Sequence, residues 1–132
     1  MKSKKSKVTN RFFNYIFINR NGITYLQKRI GNDIWKNLYE FPLIEADKIL
    51  TVGELMSTDG FKQLFDGLEN VKIQDISNPM KHVLSHRVIY AQFFRIDIES
   101  DANFHSSFIE TPIDIIDKYA VSRLMELYLE SL

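Results

Sequence analysis

The chain has no cysteine among its 132 residues. Disulfides, thiolate zinc sites, an iron–sulfur cluster and a cysteine nucleophile are therefore excluded within it. Proline and glycine are sparse, at 3 and 5 residues, so each one punctuates the chain where it stands. Three histidines leave little material for an imidazole metal centre. The apolar runs are strand-length, well short of the ~20 residues that span a bilayer. The basic start MKSKKSK leads into RFFNYIFINR, which Asn14 interrupts and which lacks a small-residue cleavage site, so it does not read as a signal peptide. A cytoplasmic chain with no membrane partner is the expectation.

What is present is an ordinary globular composition, 45% hydrophobic and 26% charged. A chain of this length forms one domain and buries roughly two-thirds of its unfolded surface. Net charge is zero but unevenly spread. Lys2, Lys4, Lys5, Lys7 and Arg11 put five positive charges in the first eleven residues, leaving 12 basic against 17 acidic residues elsewhere. That acidic remainder is a poor footprint for gripping phosphates over a wide face. Residues 1–10 are expected to be a basic linker or tail, and residues 11–132 the domain.

Residues 11–19 crowd aromatic and β-branched side chains, as strands do. Asn21-Gly22 then suits a hairpin turn whose central residues need positive φ, with residues 23–29 as the partner strand. Residues 30–37 form a loop around Trp35, the single tryptophan. Leu38, Phe41, Leu43 and Ile44 mark a short buried strand bent at Pro42. Thr51 and Glu54 form a capping box opening a helical region to Phe65, which Gly53 and Gly60 divide into two short helices. Residues 71–76 and 87–98 read as strands, the latter alternating Phe94, Ile96 and Ile98 with charged residues. Thr111-Pro112 with Asp114 starts a C-terminal helix whose packed face is Ile113, Ile116, Ala120, Leu124 and Leu127, with a break near Tyr119. The order β-β-β-α-β-β-α predicts an α+β fold, a mixed sheet with helices packed on it.

The stretch KHVLSHRVIY at residues 81–90 places two of the three histidines around a serine. His82 and His86 have the spacing of helical metal ligands, but their neighbours favour loop and strand, where that spacing converges poorly. Ser85 cannot use His86 as its base, since adjacent side chains on an extended chain point to opposite faces. Two structural histidines at a strand end are the plainer alternative. A polar loop presenting backbone amides, a hydroxyl, an imidazole and the cations Lys81 and Arg87 would suit a nucleobase edge and its phosphate.

Two motifs bring a family resemblance. The segment TYLQKRIGNDIWKNLYEFPLIE, through Trp35, Leu38, Tyr39, Glu40, Phe41 and Pro42, resembles the opening of Nudix-like domains. HVLSH, about forty residues beyond the Phe41-Pro42 pair, is similar to the H-x-F-S-H loop in the C-terminal domain of MutY-type adenine DNA glycosylases. KYAVSRLMELYLESL resembles that domain's closing helix. The resemblance implies a mixed β-sheet packed between helices, an α/β/α sandwich. It further implies recognition of 8-oxoguanine opposite adenine, with duplex DNA containing that pair and the N-terminal catalytic domain of the same polypeptide as partners. Ser85 would then meet the altered base edge. Leu84 replaces the family's usual phenylalanine and would wedge more than stack. His82 and His86 would shape the loop, with Lys81 and Arg87 beside it.

The departures are informative. A Nudix pyrophosphatase carries G-x5-E-x7-R-E-x-x-E-E to hold Mg²⁺. Here Leu43 and Ile44 follow Pro42, and Glu45, Asp47, Glu54 and Asp59 are scattered. The helix-hairpin-helix domain of a glycosylase, with its catalytic carboxylates and iron–sulfur cysteines, is not in this chain, so no catalytic residue, metal or cofactor is expected within it. A divergent nucleotide hydrolase and a ligand-sensing or protein-interaction module on the same fold are the competing expectations. Core packing is the simpler role for Trp35, and solvated strand-end charges for Lys28 and Arg29.

Overall fold

A computed structural model describes residues 8–99, 104 and 107–132; the lysine run and His105 lie outside them. The chain opens with β1 (Thr9–Asn19), starting two residues earlier than expected. Asn21 and Gly22 both take positive φ, 52° and 85°, and Arg20 and Ile23 exchange backbone hydrogen bonds of 2.9 and 3.0 Å around them. The turn forms as its chemistry requires. The strands it joins then part, because β2 (Ile23–Lys28) enters a different sheet and is not a continuous ladder partner of β1.

The Phe41-Pro42 bend splits the next expected strand into β3 (Tyr39–Glu40) and β4 (Leu43–Ala46). Two short helices follow, α1 (Val52–Met56), with the Thr51–Glu54 capping box complete, and α2 (Asp59–Leu64), capped by Thr58. Then come β5 (Lys72–Ile76), β6 (Met80–Val83) and β7 (Arg87–Asp97). The C-terminal segment corrects the sequence reading. Thr111 lies within a strand, β8 (Ile109–Pro112), fully buried opposite Thr24 of β2, and caps no helix. A 3₁₀ helix (Ile113–Lys118) follows, and Ser122 caps the true final helix, α3 (Arg123–Glu130). The chain does break at Tyr119, but the packed face of α3 is Leu124, Met125 and Tyr128, while Ala120 and Leu127 are exposed.

The larger sheet runs β4-β1-β7-β5, with β6 also on β7, and the smaller runs β3-β2-β8. At its centre β1 and β7 pair in parallel from Thr9↔Arg87 to Asn19↔Asp97. Both faces are covered, so Phe13 to Ile18 are all buried. Phe13, Tyr15, Phe17, Ile89, Ala91 and Phe93 pack towards the 3₁₀ helix and α3. Ile16, Ile18, Phe94 and Ile96 pack on the opposite side with Leu55, Phe61 and Phe65 of the α1–α2 region. The result is the expected α+β arrangement, a mixed sheet between helical layers. No helix among the described residues is long and apolar enough to cross a membrane.

Candidate functional site

Residues 80–91 form a β-hairpin where the sequence suggested a loop. β6 pairs antiparallel with β7 through Met80↔Ala91, Lys81↔Tyr90, His82↔Ile89 and Val83↔Val88. Leu84 N–H donates to the Arg87 carbonyl at 2.8 Å, which leaves Ser85 and His86 as the two-residue tip. The strand alternation then sorts the candidate residues. His82 and Leu84 turn towards the core and are half-buried, whereas Lys81, Ser85, His86 and Arg87 are exposed.

The Ser85 hydroxyl makes no hydrogen bond among the described residues. His86 is fastened through its backbone, its carbonyl accepting from Thr9 N–H at 3.1 Å. His82 lies edge-on to Trp35, ring centroids 6.0 Å apart at 63°. The two histidines thus face different environments. Among the described residues no three His, Cys, Asp or Glu side chains come together to hold a metal. Lys81 places its ammonium 5.9 Å from the Tyr90 ring, which stacks on Phe12 with centroids 5.2 Å apart. Among the described residues neither Lys81 nor Arg87 joins an ion pair.

Behind the hairpin lies a polar network that sequence reasoning missed. Arg11 grips Asp33 with two hydrogen bonds of 2.7 and 2.8 Å and Glu45 with two of 2.8 Å. Arg29 donates to Asp33 at 2.9 Å and to Glu40 at 3.1 and 3.2 Å. Arg29 is therefore not a solvated strand-end charge, with its side chain only 11% exposed. Lys28 is exposed as expected, its ammonium 6.0 Å from the Tyr39 ring. Tyr15 completes the network by donating its hydroxyl to Glu40 at 3.0 Å. The hydrogen bonds from Arg11 hold the Asp33 carboxyl well below the usual carboxylate range. Burial pushes Glu40 up, against the charge of Arg29 and the hydrogen bonds from Arg29 and Tyr15. No periodic signal marks such a cluster, because Arg11 is 22 residues from Asp33 and 34 from Glu45.

A cleft of about 480 Å³ opens beside β4 and α2, lined by Leu43, Ile44, Gly60, Gln63 and Leu64 among others. No ionisable side chain among the described residues lines it. Two of the four carboxylates nearby in sequence are otherwise engaged. Glu45 is held by Arg11, and Glu54 accepts from Thr51 N–H at 2.9 Å and from Lys48.

A family model described as NUDIX domain matches residues 14–131. No curated protein sequence matches the chain. Among solved structures, the E. coli ORF135 protein is similar with a TM-score of 0.66 at 14% identity, over 93% of this chain and 88% of that one. A MutT protein from Methanosarcina mazei Go1 gives 0.65 at 14% identity, over 94% and 93%. The C-terminal domain of mouse MUTYH, solved in complex with human PCNA, gives 0.66 at 12% identity, over 92% and 87%. Likeness at these identities speaks for the fold.

Proposed function

The chain belongs to the NUDIX domain family, and we propose that within it this chain is a lesion-recognition domain of the MutY type. It inspects 8-oxoguanine paired with adenine in duplex DNA and excises nothing itself. Excision belongs to an N-terminal catalytic domain of the same polypeptide, which also carries the iron–sulfur cluster that this cysteine-free chain cannot ligate. The observation that carries this reading is the hairpin tip. Ser85 presents an exposed hydroxyl that can both donate and accept, without a partner among the described residues, between two exposed cations. 8-Oxoguanine differs from guanine by a C8 carbonyl in place of C8–H and by an N7–H donor in place of the N7 lone pair. A hydroxyl that can act either way answers both changes, while Lys81 and Arg87 meet flanking phosphates.

The hydrolase alternative needs carboxylates at its cleft to hold magnesium at a pyrophosphate. The cleft beside Leu43 and Ile44 has an uncharged lining, and in a smaller one the carboxylates Asp33 and Glu40 are held by Arg11 and Arg29, which weighs against it.

The test joins this chain to the adenine-excising domain of a MutY-type glycosylase. Ser85→Ala is expected to lower the preference for 8-oxoG:A over G:A by several-fold, since one base-directed hydrogen bond contributes about 1 kcal/mol. An unchanged preference overturns the role of Ser85. Sustained magnesium-dependent hydrolysis of 8-oxo-dGTP by the chain alone overturns the non-catalytic reading.

A further inference from the structure

We propose that Trp35, fixed by an Arg11–Asp33–Arg29 clamp, is a positioning residue that sets the hairpin carrying Ser85. The inference rests on the reading of Ser85 as the base-inspecting group.

Trp35 has φ of 55° and Asn37 has φ of 72°. A bulky residue rarely occupies the left-handed region, and persists there only where its surroundings over-determine it. Here they do. Leu38 N–H donates to the Trp35 carbonyl at 3.0 Å, Arg29 N–H to the Leu38 carbonyl at 2.9 Å, and Asn37 N–H to the Arg29 carbonyl at 2.6 Å. Asp33 receives both arginines and also accepts from Ile34 N–H at 2.7 Å. The same arginines cover the ring of Phe13, their guanidinium carbons 5.0 and 5.5 Å from its centroid.

The strained residue ends up half-buried rather than sealed in the core. Its indole stands edge-on to Phe13 at 5.8 Å and to His82 at 6.0 Å. His82 is three residues before Ser85, on the strand that leads to the tip. Contacts therefore run unbroken from Asp33 through the two arginines, Phe13 and Trp35 to the base of the hairpin. Ile34 and Leu84 pack against the same core cluster. Core packing alone asks neither for a left-handed tryptophan nor for a carboxylate shared by two arginines.

Two measurements test the proposal. In the chain itself, Trp35→Ala is expected to raise the amide exchange rate of Leu84, whose N–H closes the tip, by about tenfold or more. Phe17 in the core of β1 changes less, and Trp35→Phe restores much of the protection. Asp33→Asn acts in the same direction and serves where Trp35→Ala does not fold. Acceleration equal at Leu84 and Phe17, or none at Leu84, overturns the proposal. In the fusion with an adenine-excising domain, Trp35→Ala is expected to reduce the 8-oxoG:A preference and to add nothing once Ser85→Ala is present. Fully additive losses overturn it. If Ser85→Ala alone leaves the preference intact, the lesion-recognition reading fails, and the exchange at Leu84 still decides whether Trp35 sets the hairpin.

Discussion

Phe93 and Tyr128 lie face to face, centroids 4.2 Å apart and ring planes 3° from parallel. The stack fastens α3 to the central strand β7, and Tyr15 also stacks on Phe93 at 5.1 Å. Tyr128 sits in apolar surroundings near Asp75. Burial first, and the charge of Asp75 second, push its hydroxyl up to about 12. The folded value exceeds the unfolded one, so this contribution is complete below about pH 10 and is lost as pH rises through about 12. Tyr128→Phe keeps the stack and removes the ionisation. Wild type should therefore lose stability relative to Tyr128→Phe across that alkaline window in chemical denaturation. Parallel curves would contradict the assignment. Tyr128→Ala should cost on the order of 3–5 kcal/mol at neutral pH, because it leaves a ring-sized cavity.

Asn14 is a polar residue with no exposure in the middle of β1. Its amide oxygen accepts from Leu50 N–H at 3.0 Å, and its amide nitrogen donates to the Ile44 and Lys48 carbonyls at 3.2 and 3.4 Å. It thereby ties the segment leading into α1 to the sheet. Asn14→Leu has nearly the right volume but strands a buried donor and two acceptors. We expect a loss of about 2–4 kcal/mol, read as a fall in Tm on the order of 10 °C. A loss under about 1 kcal/mol would mean that water replaces the amide.

Asn14 also marks the boundary of what the sequence shows. Asn14 looks like an interruption in an apolar run, and only the nearness of residues 44–50 makes it an anchor. Local chemistry was legible wherever it decided the outcome: the Asn21-Gly22 turn, the Thr51–Glu54 capping box, the bend at Pro42 and the alternation along β7. It failed where a distant partner outweighed it. Thr111 has every local mark of a helix cap, yet pairing with Thr24 draws it into a strand. The Asn21-Gly22 turn suggested a ladder between β1 and β2, but β1 finds its long partner in β7, more than seventy residues on. At the site, the residue types singled out residues 81–87 but read them as a loop, where pairing with β7 makes them a hairpin. The clamp behind it was not legible, since Arg11, Asp33 and Glu45 meet only through the fold.

The clamp carries its own pH signature. Asp33 is ordinarily 3.8, and the hydrogen bonds from Arg11 hold it lower in the folded chain. A depressed carboxylate contributes stability above its unfolded value and loses it as pH falls through the folded one. The stability gap between wild type and Asp33→Asn should be constant above about pH 5 and shrink steadily towards pH 2. Glu40 shifts the other way but is common to both proteins. A gap that stays level in acid would show that the Asp33 charge does not hold the loop.

The hairpin cations offer the most direct test of a nucleic-acid partner. Arg11, Arg29 and Arg123 are paired with carboxylates, whereas Lys81 and Arg87 are exposed and in no ion pair among the described residues. Each cation that neutralises a phosphate releases condensed counterions and steepens the logarithmic dependence of affinity on salt by about 0.9. Changing both Lys81 and Arg87 to Gln should therefore flatten that slope by nearly two for the chain on duplex DNA. Lys118→Gln, far along the sequence on the 3₁₀ helix, should leave it unchanged. Ser85→Ala should leave the slope alone and alter only the discrimination of 8-oxoguanine from guanine, because a hydroxyl displaces no counterion. Charge and hydroxyl thus separate in one titration series. An identical slope in the double variant would remove the hairpin from the phosphate backbone.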